Sequence, residues 1–121
     1  MPVRSLSSSI LKWPNKQLVD FAVRSWAEKI SEERNDVQKI GYFGSYARGD
    51  WGVGSDLDII VILDDSDMPM ERRSLGWDTK DLPVPSDLLI CTIDEWQKMM
   101  DAGRLGKTLM HETIWIYERS S

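Results

Sequence analysis

Gly44-Ser45-Tyr46-Ala47-Arg48-Gly49-Asp50-Trp51-Gly52-Val53-Gly54-Ser55-Asp56-Leu57-Asp58 decides how the chain folds, because apolar runs at 40–43 and 59–63 flank it. Both runs have strand length and a β-branched or aromatic bias, so residues 37–43 and 57–63 read as strands. Gly44 ends the first strand, residues 45–49 suit a short helix, and 51–55 form a glycine-rich return loop. Side chains alternate along a strand, so Asp56 and Asp58 point one way and Leu57 the other. Two carboxylates on one face repel unless a cation lies between them. Hard oxygen ligands suit Mg2+, which takes one or two protein carboxylates and completes its shell with phosphate oxygens and water. Gly44 lets a phosphate approach the backbone, Ser45 adds a hydroxyl donor, and Arg48 lies one helical turn further on. A bare Asp-x-Asp is most often a pair of exposed carboxylates, and Gly-Ser alone is merely a turn. Their combination points to a site for a metal-bound nucleoside triphosphate.

Outward from this stretch, strands alternate with helical segments, which predicts an α/β domain with a sheet of about four strands. Pro14 is expected to open a helix whose apolar side carries Leu18, Phe21, Ala22, Trp26 and Ile30. After the second strand comes an acidic turn at 64–67, then a helix at 70–77, and Pro83 and Pro85 break the chain before a strand at 87–93. Asp94 is the expected cap of a helix over 95–102, which Gly103 stops. A further helix at 105–111 leads to a last strand at 113–117.

The turn and the carboxylates meet only if the first two strands run antiparallel or the short helix folds back across their ends. A right-handed crossover through 70–77 would make the second and third strands parallel neighbours and set Asp87 beside Asp56 and Asp58. Strand register leaves Asp81 and Asp94 open as alternatives to Asp87. A third carboxylate could accept the proton of an attacking hydroxyl.

Composition narrows the function class. A chain of 121 residues fits one domain, expected over 13–121 behind a flexible lead at 1–12. The net charge of −5 argues against non-specific nucleic-acid binding, but a metal can offset the charge of one bound nucleotide. No apolar run is long enough to span a bilayer, and residues 1–12 lack the apolar core of a secretory signal. The single Cys91 fits a reducing, cytoplasmic setting and reads as a small buried hydrophobe. Six tryptophans are spread along the chain and read mainly as core or rim aromatics, with one or two available for a partner-binding face.

Gly44-Ser45-x-Ala47-Arg48-Gly49 with Ser55-Asp56-x-Asp58 and a later strand aspartate resembles the signature of the polymerase-β-like nucleotidyltransferases. The short chain and the ending Thr113-Ile114-Trp115-Ile116-Tyr117-Glu118-Arg119 are similar to the minimal nucleotidyltransferases that serve as antitoxins to HEPN ribonuclease toxins. That resemblance, over about residues 37–119, implies transfer of AMP from ATP to an acceptor hydroxyl with one or two Mg2+ ions. It implies Asp56, Asp58 and Asp87 as metal ligands and catalytic carboxylates, and Gly44, Ser45 and Arg48 as nucleotide contacts. In the paired systems the acceptor is a toxin tyrosine. Larger relatives carry a helical acceptor-binding domain for which this chain has no room, so the acceptor is expected on a separate protein. The rival expectations are a non-catalytic module that neutralises its partner by binding, and a subunit of a small-molecule nucleotidyltransferase of the aminoglycoside-modifying type.

Other motifs read as structural. Gly106-Lys107-Thr108 lacks the upstream glycine and strand of a phosphate loop. Residues 64–67 lack the glycine of a calcium loop and read as a solvated turn. His111 has no companions for a zinc site, and Met68, Met70, Met99, Met100 and Met110 read as core filler.

Overall fold

Strand β2 (Leu57–Leu63) is the centre of the molecule, with burial running through nearly every position. It pairs antiparallel with β1 (Val37–Phe43) and parallel with β3 (Ser86–Thr92), while β4 (Ile114–Glu118) closes the other side of β1 antiparallel. The sheet order is β3-β2-β1-β4. The structure is a computed structural model that describes residues 14–119; the expected lead at 1–12 and Trp13 lie outside the described residues. The fold is α/β, a mixed four-stranded sheet flanked by helices, as the alternation of segments predicts.

Each sheet face has its own cover. Leu57, Ile59, Val61 and Leu63 project to the side of helix α1 (Lys16–Glu33), where Val19, Val23, Trp26, Ala27 and Ile30 meet them. Ile60, Ile62 and Cys91 lie on the opposite face, against Trp96 and Met99 of helix α3 (Ile93–Asp101). Burying each such aliphatic side chain contributes roughly 1.5–3 kcal/mol. Asp58 shares the period of Ile60 and Ile62, and Asp87 that of Leu89 and Cys91. The carboxylates therefore sit on the α3 face, where that face runs out toward solvent.

Four expectations about elements need correction. Helix α1 is capped by Asn15, whose side chain accepts from the Leu18 amide at 2.9 Å; Pro14 precedes the cap instead of opening the helix. Its buried stripe runs through Val19 and Val23, leaving Leu18 and Phe21 half or more exposed. A periodicity of 3.6 fits either neighbouring stripe here, and packing against the sheet selects between them. Residues 70–77 form only a 3-10 turn at Met70–Arg72 followed by further turns, so the β2–β3 crossover is a loop and not a helix. Helix α3 starts at Ile93 under a Thr92 cap; Thr92 and Glu95 bond reciprocally as a capping box, and Asp94 lies inside the first turn.

The loop crossover is held by Arg73, a buried guanidinium that donates to the Met68 carbonyl at 2.9 Å and the Ile90 carbonyl at 3.1 Å. It also makes a two-pronged pair with Glu95. The Arg73 charge and hydrogen bonds hold the Glu95 carboxyl down to about 2. Cys91, on β3, is buried as expected, and burial pushes its thiol up to about 12. Met70 and Met99 pack as filler, whereas Met68 is half exposed. The five described tryptophans all have ring or core partners. Trp26 packs against Trp77, Trp51 stacks on Tyr46, and Trp96 meets Trp115 edge-on. Among the described residues no helix is long and apolar enough to cross a membrane.

Candidate active site

The β1–β2 antiparallel register places Phe43 opposite Asp58, so Gly44, the next residue of the chain, comes up against the aspartate. A side chain at Gly44 would collide with the Asp58 carboxylate. The backbone there has φ +80°, a conformation that glycine adopts readily and other residues do not. Both requirements fall on one position, and they explain why a glycine must stand at the end of β1. The short helix α2 (Ser45–Arg48) starts directly from this turn and closes at Gly49.

The β2–β3 parallel register pairs Asp58 with Asp87. Asp56 stands just before β2, at the point where the Leu57 amide donates to the Pro85 carbonyl at 2.9 Å. Asp56 and Asp87 are exposed, and Asp58 is partly buried between them. Burial drives the Asp58 carboxyl above the usual carboxylate range, and the negative charges of Asp87, Asp56 and Glu112 raise it further. Arg48 opposes the shift more weakly. Neighbouring strands thus gather the Gly44 turn and the three aspartates at one edge of the sheet. The alternatives to Asp87 fall elsewhere: Asp81 pairs with Lys29 of α1 and Asp94 with Lys98 of α3.

Glu112, at the end of helix α4 (Arg104–Glu112), is a site residue that the sequence reading missed. One of its oxygens accepts from the Gly44 amide at 2.7 Å and the other from Arg48 at 3.1 Å. Arg48 also pairs with Asp50 at 3.1 Å. The arginine expected to meet phosphate is therefore engaged by two carboxylates, one of which ties the Gly44 turn to α4. Nothing local in the sequence announces Glu112, since 68 residues separate it from Gly44. Its only signal is position, as an acidic side chain two residues before the last strand.

The donor set suits a hard divalent cation: carboxylate oxygens, repelling one another, with the middle one raised in pKa by burial first and by its acidic neighbours second. Among the described residues no three His, Cys, Asp or Glu side chains form a ready-made metal cage. Magnesium does not need one, because phosphate and water oxygens complete its shell.

A family model for the nucleotidyltransferase domain matches residues 23–116. The chain belongs to this family. Among solved structures it is similar to a candidate nucleotidyltransferase from Sulfolobus solfataricus, at TM-score 0.62 and 17% identity, covering 86% of this chain and 84% of that one. It is also similar, at TM-score 0.47 and 17% identity, to a chain of a toxin-antitoxin solved with AMP-PNP, covering 77% of this chain and 70% of that one. A comparison with curated proteins gives no match. For a nucleotidyltransferase domain, the clustering of the Gly44 turn with Asp56, Asp58 and Asp87 has a direct chemical use.

Proposed function

We propose that this domain transfers AMP from ATP to a hydroxyl on a partner protein, a tyrosine of a HEPN ribonuclease toxin, and so acts as its antitoxin. The observation that carries the transfer reading is the contact of Gly44 with the Asp58 carboxylate, together with the registration of Asp58 against Asp87. The protein acceptor and the pairing rest on the likeness of the Gly44–Gly49, Ser55–Asp58 and Thr113–Arg119 segments to minimal antitoxins.

In this reading Asp56, Asp58 and Asp87 would hold Mg2+. The metal would supply neutralisation of the charge that builds on the phosphates. Gly44 and Ser45 position the triphosphate at the head of α2. The acceptor oxygen attacks the α-phosphorus as its proton passes to a carboxylate oxygen that the metal does not engage, with the second oxygen of exposed Asp87 the best placed. The bond from the α-phosphorus to the bridging oxygen breaks, and pyrophosphate leaves with the electron pair. Glu112 holds the Gly44 turn and the Arg48 guanidinium in place throughout.

The test is intact mass of a co-expressed HEPN partner after incubation with the protein, ATP and Mg2+. Addition of one or more AMP units supports the proposal. A stable complex with an unmodified partner supports the binding-module alternative and removes the transfer claim.

A further inference from the structure

Helix α1 carries a second apolar stripe beside its buried one. Val19, Val23, Trp26 and Ile30 face the sheet, whereas Leu18 and Phe21 are 51% and 70% exposed. Helix formation does not ask for an aromatic there, since phenylalanine forms helix no better than serine. The segment 78–84 runs alongside this stripe. The Asp78 carbonyl accepts from the Trp26 indole at 2.8 Å, and Asp81 pairs with Lys29 at 3.3 Å. Leu82 and Val84 turn into the core, and Asp81 and Pro83 stay outside. Between helix and segment lies a groove of about 500 Å3, lined by Leu18, Phe21, Ala22, Ser25, Asp81 and Pro83 among others. A single exposed apolar side chain is ordinary, but several sharing one groove make a contact surface.

The chain enters α1 at the head of this groove. The Pro14 carbonyl accepts from the Tyr46 hydroxyl at 3.1 Å, and Asn15 caps the helix. The point where residues 1–13 join is therefore held within one turn of Leu18. Along the axis Phe21 lies about 9 Å from Asn15 and Ser25 about 15 Å, spans that roughly three to five extended residues cover.

The joining segment has the chemistry that suits the groove. Ile10, Leu11 and Trp13 supply apolar side chains. Residues 1–13 hold Arg4 and Lys12 and no Asp or Glu, so every acidic residue behind the net charge of −5 lies in the rest of the chain. That attraction favours return of the segment to the body of the protein, and apolar contact selects the place. A tethered segment also needs less contact area than a separate partner, because the tether sets an effective concentration of about the millimolar range.

We infer that residues 10–13 lie back along α1 and fill this groove, with Leu11 and Trp13 against Leu18 and Phe21. The docking is independent of the transfer reading and stands or falls without it.

The experiment is a double-mutant cycle on the full chain, with Trp13→Ser and Phe21→Ser read by urea unfolding. Each single variant is expected to lower the folding equilibrium constant about tenfold, the loss of one buried aromatic contact. The double variant should lose little more than either alone, because both changes remove the same contact. Additive effects overturn the inference, since Trp13 then packs elsewhere. No effect of Phe21→Ser also overturns it, since the groove is then open to water. A dimer in sedimentation that Phe21→Ser abolishes and Trp13→Ser leaves intact gives the groove to a second copy, and overturns it too. So does poorer modification of a protein acceptor by Phe21→Ser with folding untouched by either change. A nuclear Overhauser contact between the Leu11 methyls and the Phe21 ring in the unsubstituted chain reports the docking without any substitution, and its absence overturns the inference.

Discussion

The two ends of β2 carry the same residue type in opposite electrostatic circumstances. Beyond its far end, Asp64 receives two hydrogen bonds from Arg119, at 2.6 and 2.8 Å, and its carboxyl is held below the usual range by that guanidinium. The 64–67 turn is largely solvent-exposed, as expected, and Asp64 in addition ties Arg119, just past β4, to it. At the near end, Asp58 has no ion pair among the described residues, and nearby Arg48 is engaged by Asp50 and Glu112. It stands against Asp87, Asp56 and Glu112, and both burial and like charge raise its pKa. One end of the strand is arranged for stability, and the other keeps repulsion that a bound cation would relieve. Uncompensated charge in an otherwise well-paired protein is where function is to be sought.

The sharpest way to break this contrast is Asp58→Asn. Transfer should fall on the order of 10²–10³-fold or more, measured by intact mass of the acceptor over time. The fold should gain stability in the metal-free state. The sign follows from the raised pKa: the folded state holds the Asp58 proton more tightly, so stability is lost as pH rises through the ordinary carboxylate range toward the raised value. Removing the charge removes that loss, and melting at pH 7 without metal should move upward. A lower melting temperature would sink the claim that this carboxylate is under strain.

Arg73→Met tests the paired region in the same terms. It leaves two carbonyls without this donor and Glu95 with only the Thr92 amide, and should destabilise by about 3 kcal/mol, read from urea unfolding. The Glu95 carboxyl is depressed from 4.5 to about 2, so the pair's contribution is present above the unfolded value and lost as pH falls through that interval. The variant should therefore show a flatter acid arm than the unsubstituted protein.

Gly44→Ala joins the two effects at one residue. The positive φ and the collision with Asp58 should together cost about 1–3 kcal/mol, with transfer lost as the turn moves. An alanine variant with full stability and activity would show that Gly44 does not abut the carboxylate. Arg119→Gln should have the smallest effect, because its pair with Asp64 is solvent-exposed: a slight drop in melting temperature, shrinking further in salt, and unchanged transfer.

Much of this was legible before any coordinates. The apolar runs at 40–43 and 59–63 marked two strands, but whether these run antiparallel or the short helix folds back across their ends stayed open until the register paired Phe43 with Asp58. Helix α1 was legible in extent but not in facing, because Leu18 and Phe21 satisfy helical periodicity as well as Val19 and Val23 do. The crossover at 70–77 looked helical locally, yet Arg73 holds it as turns through contacts with Met68, Ile90 and Glu95. Gly106-Lys107-Thr108 lacks the rest of a phosphate loop and His111 has no companions for a zinc site, so neither shows in sequence that the packing of Gly106 on Met99 turns Lys107 and His111 toward α2.

Sequence by itself determined the alternation of strands and helices, the Gly44 turn and the Asp-x-Asp pair, because each depends on the backbone and side-chain preferences of near neighbours. Tertiary structure alone decided that Asp87, and not Asp81 or Asp94, joins that pair, and that Glu112 grips the Gly44 amide. The reason is distance along the chain: these contacts form between segments whose register is set by how a whole sheet and its covering helices pack.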